Sequence, residues 1–155
     1  MSALFAMAAA AFLAATLIPA QSEIVFLGLL AAKSADPLAL FMVASIANTA
    51  GSVVNWFLGR LIADHGVERL PARLRPDPKR LAQAQGLFAR HGWLALLMSW
   101  APVIGDPLTL VAGLMRYPFW RFVLLVLIAK AGRYAMLWAG LAAAGQALAA
   151  IASRG

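Results

Sequence analysis

Met98-Ser-Trp-Ala-Pro102-Val-Ile-Gly105-Asp106-Pro107-Leu-Thr109 sets a carboxylate, two prolines and a glycine inside an otherwise lipid-like run. From Leu94 to Leu114 the one charged residue is Asp106, and a continuous helix over these 21 residues would reach ~32 Å, about one hydrocarbon core. Continuity is not expected. Pro107 lacks an amide donor and crowds a carbonyl one turn back, Pro102 repeats the problem, and Gly105 frees the backbone to turn. The expectation is two half-helices, Leu94–Ala101 and Leu108–Met115, each roughly 12 Å long, forming a re-entrant hairpin with its tip near mid-membrane. Broken backbone at that depth survives only when buried in protein or lining a wet cavity. An acid held there is a functional-site hypothesis by default.

Composition agrees with a membrane setting. The 155 residues are 63% hydrophobic and 12% charged, with a mean hydropathy of +0.82, so polar surface is too scarce to cover a water-soluble globule. One compact membrane domain is expected, divided into a first repeat over 1–59, a basic loop over 60–92 and a second repeat over 93–145. Seven of the thirteen Lys and Arg lie between Arg60 and Arg90, beside apolar segments. Cytoplasmic retention of that loop explains the net charge of +7 better than nucleic acid does, and no nucleic-acid partner is expected. The absence of cysteine excludes disulfides and thiolate metal sites. Ala3–Ile18 has no Lys or Arg before it and a poor cleavage context after it, so it reads as a retained segment.

Along the chain, residues 3–32 form an apolar stretch interrupted by Pro19-Ala-Gln21-Ser22-Glu23. A helix is expected to run to Ile18, break at Pro19 and restart with Ser22 as N-cap, as either a span followed by a half-helix or a second re-entrant hairpin. Leu38–Leu58 supplies 21 uncharged residues, enough for a crossing. Asn48, Ser52 and Asn55 share one face of it, with Gly51 and Gly59 nearby, and that face should pack against protein. Pro78–Arg90 carries Leu81, Ala84, Leu87 and Phe88 at helical spacing, the pattern either of an amphipathic helix on anionic headgroups or of an ordinary solvated loop that fixes topology. Arg90, His91 and Arg116 are expected to contact lipid headgroups at the mouth of the hairpin. Phe122–Ala144 forms the last crossing and contains Lys130 and Arg133. Each costs roughly 2.5–3.5 kcal/mol at a lipid-facing centre, so both should face Asp106 and Glu23, the intramembrane acids.

The two halves repeat a plan. Pro19-Ala-Gln-Ser-Glu23 and Pro102-Val-Ile-Gly-Asp106 both read Pro-x-x-x-acid, and each precedes a polar turn with a proline and then a crossing. Asn48 follows Glu23 by 25 residues and Lys130 follows Asp106 by 24. With the Arg60–Arg90 loop in the cytoplasm, the hairpins dip from opposite faces. That is the inverted-repeat pattern, in which interrupted segments meet at mid-membrane to form a substrate and ion site.

Pro19…Ser22-Glu23, Gly51…Gly59-Arg60, Phe88-Ala-Arg90-His91-Gly92, Pro102…Val111-Ala-Gly113 and the helix from Phe119 through Trp138 together resemble the DedA family, also called the SNARE-associated or VTT-domain family. The likeness covers roughly residues 15–140, and Ser99–Leu108 is similar to its short bacterial branch. The resemblance implies a polytopic bacterial inner-membrane protein with two re-entrant hairpins. It also implies a role in moving phospholipids or undecaprenyl phosphate between leaflets, with dependence on the proton gradient. One departure matters. The better-studied branch carries required arginines three residues before and after the proline equivalent to Pro102, where this chain has Ser99 and Gly105.

The leading expectation is therefore an all-α polytopic protein that translocates a lipid or small anion. Glu23 and Asp106 would change protonation or ion pairing, Lys130 and Arg133 would meet a phosphate, and Asn48 and Asn55 would line the path. The alternative is a non-transporting scaffold with permanent intramembrane ion pairs and a homo-oligomer interface along Asn48-Gly51-Ser52-Asn55. Catalysis is not expected. His65 and His91 sit in no motif, no metal-ligand spacing occurs, and no cofactor is implied.

Overall fold

The computed structural model describes residues 2–16, 21–66, 75–101 and 104–153. Among these the chain is helical with no strand: α1 (Ser2–Ala14), α2 (Ser22–Ala31), α3 (Pro37–His65), α4 (Pro78–His91), α5 (Leu94–Leu97), α6 (Gly105–Leu114) and α7 (Phe119–Ala152). Two of them, α3 with 29 residues and α7 with 34, are long and apolar enough to cross a membrane. At 1.5 Å per residue they extend ~44 and ~51 Å.

Local chemistry sets where the helices start. Pro37 opens α3 behind Asp36, whose Oδ1 accepts the Ala39 amide at 2.8 Å. Asp77 and Pro78 repeat the arrangement at α4, with Oδ1 accepting the Lys79 amide at 2.9 Å. In both, the capping carboxylate satisfies an orphan donor and proline occupies a position whose amide has no partner to lose.

α3 is the rail on which the short helices pack. A Cβ on Gly51 would overlap the Phe12 carbonyl oxygen and Ala15, and one on Gly59 would overlap the Leu110 carbonyl oxygen and the Leu114 amide. α1 thus lies along the first part of α3 and α6 along the later part. Gly113 returns the close approach against Trp56. α7 runs antiparallel to α3, with Phe119 against Trp56 at one end, Tyr134 bonded to Asn48 further along, and Trp138 near Phe41 at the other. Two apolar cores result. One joins Met7, Ala11, Phe26, Leu40, Ala44 and Tyr134. The other gathers Trp56, Phe88, Leu96, Leu108, Val111, Phe122 and neighbours.

Several boundaries differ from expectation. α1 ends at Ala14, short of Ile18, and Ser22 is the first helical residue of α2, behind Gln21. Ser22 fails as an N-cap because its hydroxyl is buried as the acceptor of a tertiary bond from Tyr134. Pro19 and Pro102, named as hairpin breaks, lie outside the described residues. Pro107 breaks nothing: it is the third residue of α6, where the amides of the first turn lack partners in any case. The arm before it is shorter than expected, four α-helical residues followed by a 3₁₀ turn over Met98–Trp100. Ala101 then turns extended (φ −69°, ψ 132°), as the residue before a proline must to avoid its ring. Gly105 does serve the turn, since a Cβ there would meet the Ser99 carbonyl oxygen. α3 also runs past Gly59 to His65, so the boundary set at 59 falls within a helix.

α4 forms as its periodicity required, but its apolar stripe faces protein. Ala84 and Phe88 are buried in the second core, and the Phe88 ring meets Tyr117 edge-on at 5.9 Å. The expected bed of headgroups is replaced on that side by α6 and the turn after it.

Candidate functional site

Glu23 and Asp106 each occupy the second position of a ten-residue helix, α2 and α6. Free amides and the aligned peptide dipoles favour negative charge there. Both carboxylates find cations on α7. Arg133 Nη2 lies 2.6 Å from Glu23 Oε1, and Lys130 Nζ lies 3.4 Å from Asp106 Oδ1. Arg133 also donates through Nη1 to the Trp100 carbonyl at 2.7 Å. One guanidinium therefore ties α2 to the turn before α6. The Lys130 side chain is 4% exposed, whereas those of Arg133, Glu23 and Asp106 retain 20%, 27% and 32%, so the cluster is partly open. Three residues apart on α7, the cations share a face.

A polar seam runs beside this cluster. Asn48 Nδ2 donates to Tyr134 Oη at 3.1 Å, and Tyr134 Oη donates to Ser22 Oγ at 3.0 Å, adjacent in sequence to Glu23. Two turns further along α3, Asn55 Nδ2 donates to the Ala15 carbonyl at 2.8 Å and to Thr109 Oγ1 at 3.2 Å. Thr109 in turn donates to the Asp106 carbonyl at 2.7 Å. Asn55 is fully buried, yet its Oδ1, that of Asn48 and the Ser99 hydroxyl have no protein partner among the described residues. Buried acceptors of this kind are normally met by water or by a ligand.

Of the residues singled out from sequence, the structure brings Glu23, Asp106, Lys130 and Arg133 together, with Asn48 and Asn55 along the same region. Asn48, Gly51, Ser52 and Asn55 are occupied within the chain, packing on α1, α6 and α7, so that face is not an exposed oligomer surface. Arg90, His91 and Arg116 lie elsewhere. Arg90 is exposed, His91 Nδ1 sits 3.3 Å from the Leu87 carbonyl, and Arg116 Nη2 pairs with Asp64 Oδ1 at 2.5 Å. Sequence reasoning passed over Tyr134, Thr109 and the Trp100 carbonyl. Tyr134 was findable, one turn beyond Lys130 on the face already marked by cations. A backbone carbonyl leaves no sequence signal. No three His, Cys, Asp or Glu side chains converge as a metal set among the described residues.

The chain matches the VTT domain over residues 18–143, which takes in α2 through most of α7 and every member of the charged cluster. It belongs to the VTT-domain (DedA) family. Within the family it is 35% identical over 131 residues to the inner membrane protein YqaA of Escherichia coli, covering 84% of this chain and 85% of the relative. It is 33% identical over 134 residues to an uncharacterized protein of Haemophilus influenzae, with 82% and 80% covered. A more distant member, the undecaprenyl phosphate transporter A of Staphylococcus aureus, is 28% identical over 118 residues, 72% of this chain and 58% of that one. No solved structure matches. As a VTT-domain protein with inner-membrane relatives and two helices able to cross a bilayer, the chain is a membrane protein.

Proposed function

We propose that this VTT-domain protein carries a lipid phosphate between the leaflets of the bacterial inner membrane, as a transporter and not an enzyme. The observation that carries the reading is the arrangement of Lys130 and Arg133 on one face of α7, each held by a carboxylate at the start of a different short helix. Cations in a low-dielectric site suit a phosphate, and the carboxylates are exchangeable placeholders for it. A phospholipid or polyprenyl-phosphate head would displace Glu23 from Arg133 or Asp106 from Lys130. A proton taken up by the displaced carboxylate would keep the cluster neutral and couple movement to the proton gradient.

In this reading α1–α2 and α5–α6 are two re-entrant hairpins of an inverted repeat that dip from opposite faces, and the 60–92 loop is cytoplasmic. The support is that α1 and α6 pack on successive stretches of α3, and that Asn55 bonds both Ala15, just past the end of α1, and Thr109 of α6. The printed name of the Staphylococcus aureus relative agrees with a lipid-linked phosphate as cargo.

The complete pairing of the four charges favours a second reading, in which the ion pairs only dock the hairpins of a scaffold. Leaflet exchange separates the two. Purified protein in proteoliposomes is assayed with labelled phosphatidylethanolamine and undecaprenyl phosphate, with and without a pH gradient, beside Asp106→Asn. Folded mutant protein that has lost exchange supports transport. No exchange by folded wild type, or loss of the fold in the mutant with exchange absent throughout, supports the scaffold.

A further inference from the structure

Two residues other than glycine have positive φ among the described residues, and both are cations: Lys33 at 50° and Arg116 at 55°. They occupy the same place in the two halves. Lys33 follows Glu23 by ten residues and Arg116 follows Asp106 by ten. Each ends its half-helix in the same cap. The Lys33 and Ser34 amides donate to the Leu30 and Leu29 carbonyls, and the Arg116 and Tyr117 amides donate to the Gly113 and Ala112 carbonyls. This is the Schellman arrangement, whose left-handed position ordinarily takes glycine because a side chain there costs energy. A long cation kept at that position in both halves points to work done by the charge.

The two differ in what they face. Arg116 is paired with Asp64. The Lys33 side chain is exposed and makes no ion pair or hydrogen bond among the described residues. The neighbouring acid, Asp36, spends one oxygen capping α3. Lys33 stands at the rim of a cleft of ≈ 370 Å³ lined otherwise by apolar groups, including Leu30, Ala35, Pro37, Trp138 and Leu141 from α2, the turn, the start of α3 and α7. An apolar trough with one unpaired cation at its edge has the polarity of a single anionic lipid: chain in the trough, phosphate at the rim.

We propose that Lys33 and the cleft between α2, α3 and α7 hold an anionic phosphate-headed lipid, its phosphate on the Lys33 ammonium and a chain against Trp138 and Leu141. The site needs the chain in a bilayer but does not depend on transport, so its failure and that of the transport reading are told apart by separate assays.

The test reads Trp138 fluorescence as the difference between wild type and Trp138→Phe in bilayers containing phosphatidylglycerol or phosphatidylcholine brominated on the acyl chain. The expected result is a preference of roughly fivefold for quenching by the anionic lipid, the worth of one lysine at an anionic surface. Lys33→Gln removes that preference and Lys33→Arg keeps it, and millimolar inorganic phosphate leaves it unchanged. Equal quenching by both lipids in wild type, or a preference that survives Lys33→Gln, overturns the proposal. So does a preference erased by inorganic phosphate, which would make the ligand a free anion. Lys33 is exposed, so its variants are expected to fold.

Discussion

Arg133 and Glu23 stand 2.6 Å apart, Nη2 to Oε1, while the same guanidinium reaches the Trp100 carbonyl through Nη1. A fork of this kind does what a lysine cannot, because a planar cation bonds two acceptors in fixed directions. Arg133→Lys should keep the charge and lose one of the two ties. In a thermal-unfolding cycle that crosses Arg133→Gln, which removes the cation, with Glu23→Gln, the two changes should couple by about 1–2 kcal/mol. Additive effects would mean that the pair holds no energy of its own.

Asn55 is the second such bridge, on α3 in place of α7. Its amide serves the Ala15 carbonyl and Thr109 together, so Asn55→Leu strips the side-chain donor from a buried carbonyl and leaves the Thr109 hydroxyl with its bond to the Asp106 carbonyl alone. The expected loss is roughly 1–3 kcal/mol, read as a lower melting temperature in detergent. An unchanged melting temperature would remove Asn55 from any account of how α1 and α6 are held.

Gly59 touches backbone, not flexible side chains. Gly59→Ala drives a methyl into the Leu110 carbonyl and the Leu114 amide, so α3 and α6 must separate, at a cost of about 1–3 kcal/mol or more. Gly132→Ala is the matched control on α7, with open space where its Cβ would go. It should be neutral or stabilising by up to about 1 kcal/mol. Equal melting of the two variants would argue against the close approach.

Phe88 anchors α4 on α6 and Tyr117. Phe88→Ala should undock the helix without unfolding the rest, and trypsin should then cut after Lys79 and Arg80 at least about tenfold faster. Unaltered cleavage would restore the picture of α4 lying on lipid through its apolar face.

The sequence made parts of this visible for identifiable reasons. A lone acid among prolines, and two cations in an apolar run, are conspicuous because lipid tolerates neither without a partner, so Asp106, Glu23, Lys130 and Arg133 group together from the sequence alone. Which cation meets which acid was not legible. Lys130 and Arg133 lie on one face, three residues apart, and only the depth of α2 and α6 along α7 decides. The amide face of α3 was legible as an inward face, but its occupants were not. Periodicity marks a buried stripe and is silent on whether lipid, another copy or the chain's own helices cover it. α4 illustrates the same gap. Pro107 misled because proline breaks a helix interior and suits a first turn, and the two cases look alike until the start of the helix is known.

The cluster of Glu23, Asp106, Lys130 and Arg133 carries two positive and two negative groups when all are ionised. Membrane potential acts on net charge, at about 2.3 kcal/mol per elementary charge per 100 mV. A resting cluster that sums to zero is therefore blind to voltage, and rocking it in place moves no current. Voltage gains a grip only when the cargo and proton that join the four carry charges that do not cancel. A singly charged headgroup taken up with one proton would then be driven by the concentration differences of proton and cargo, and not by the potential.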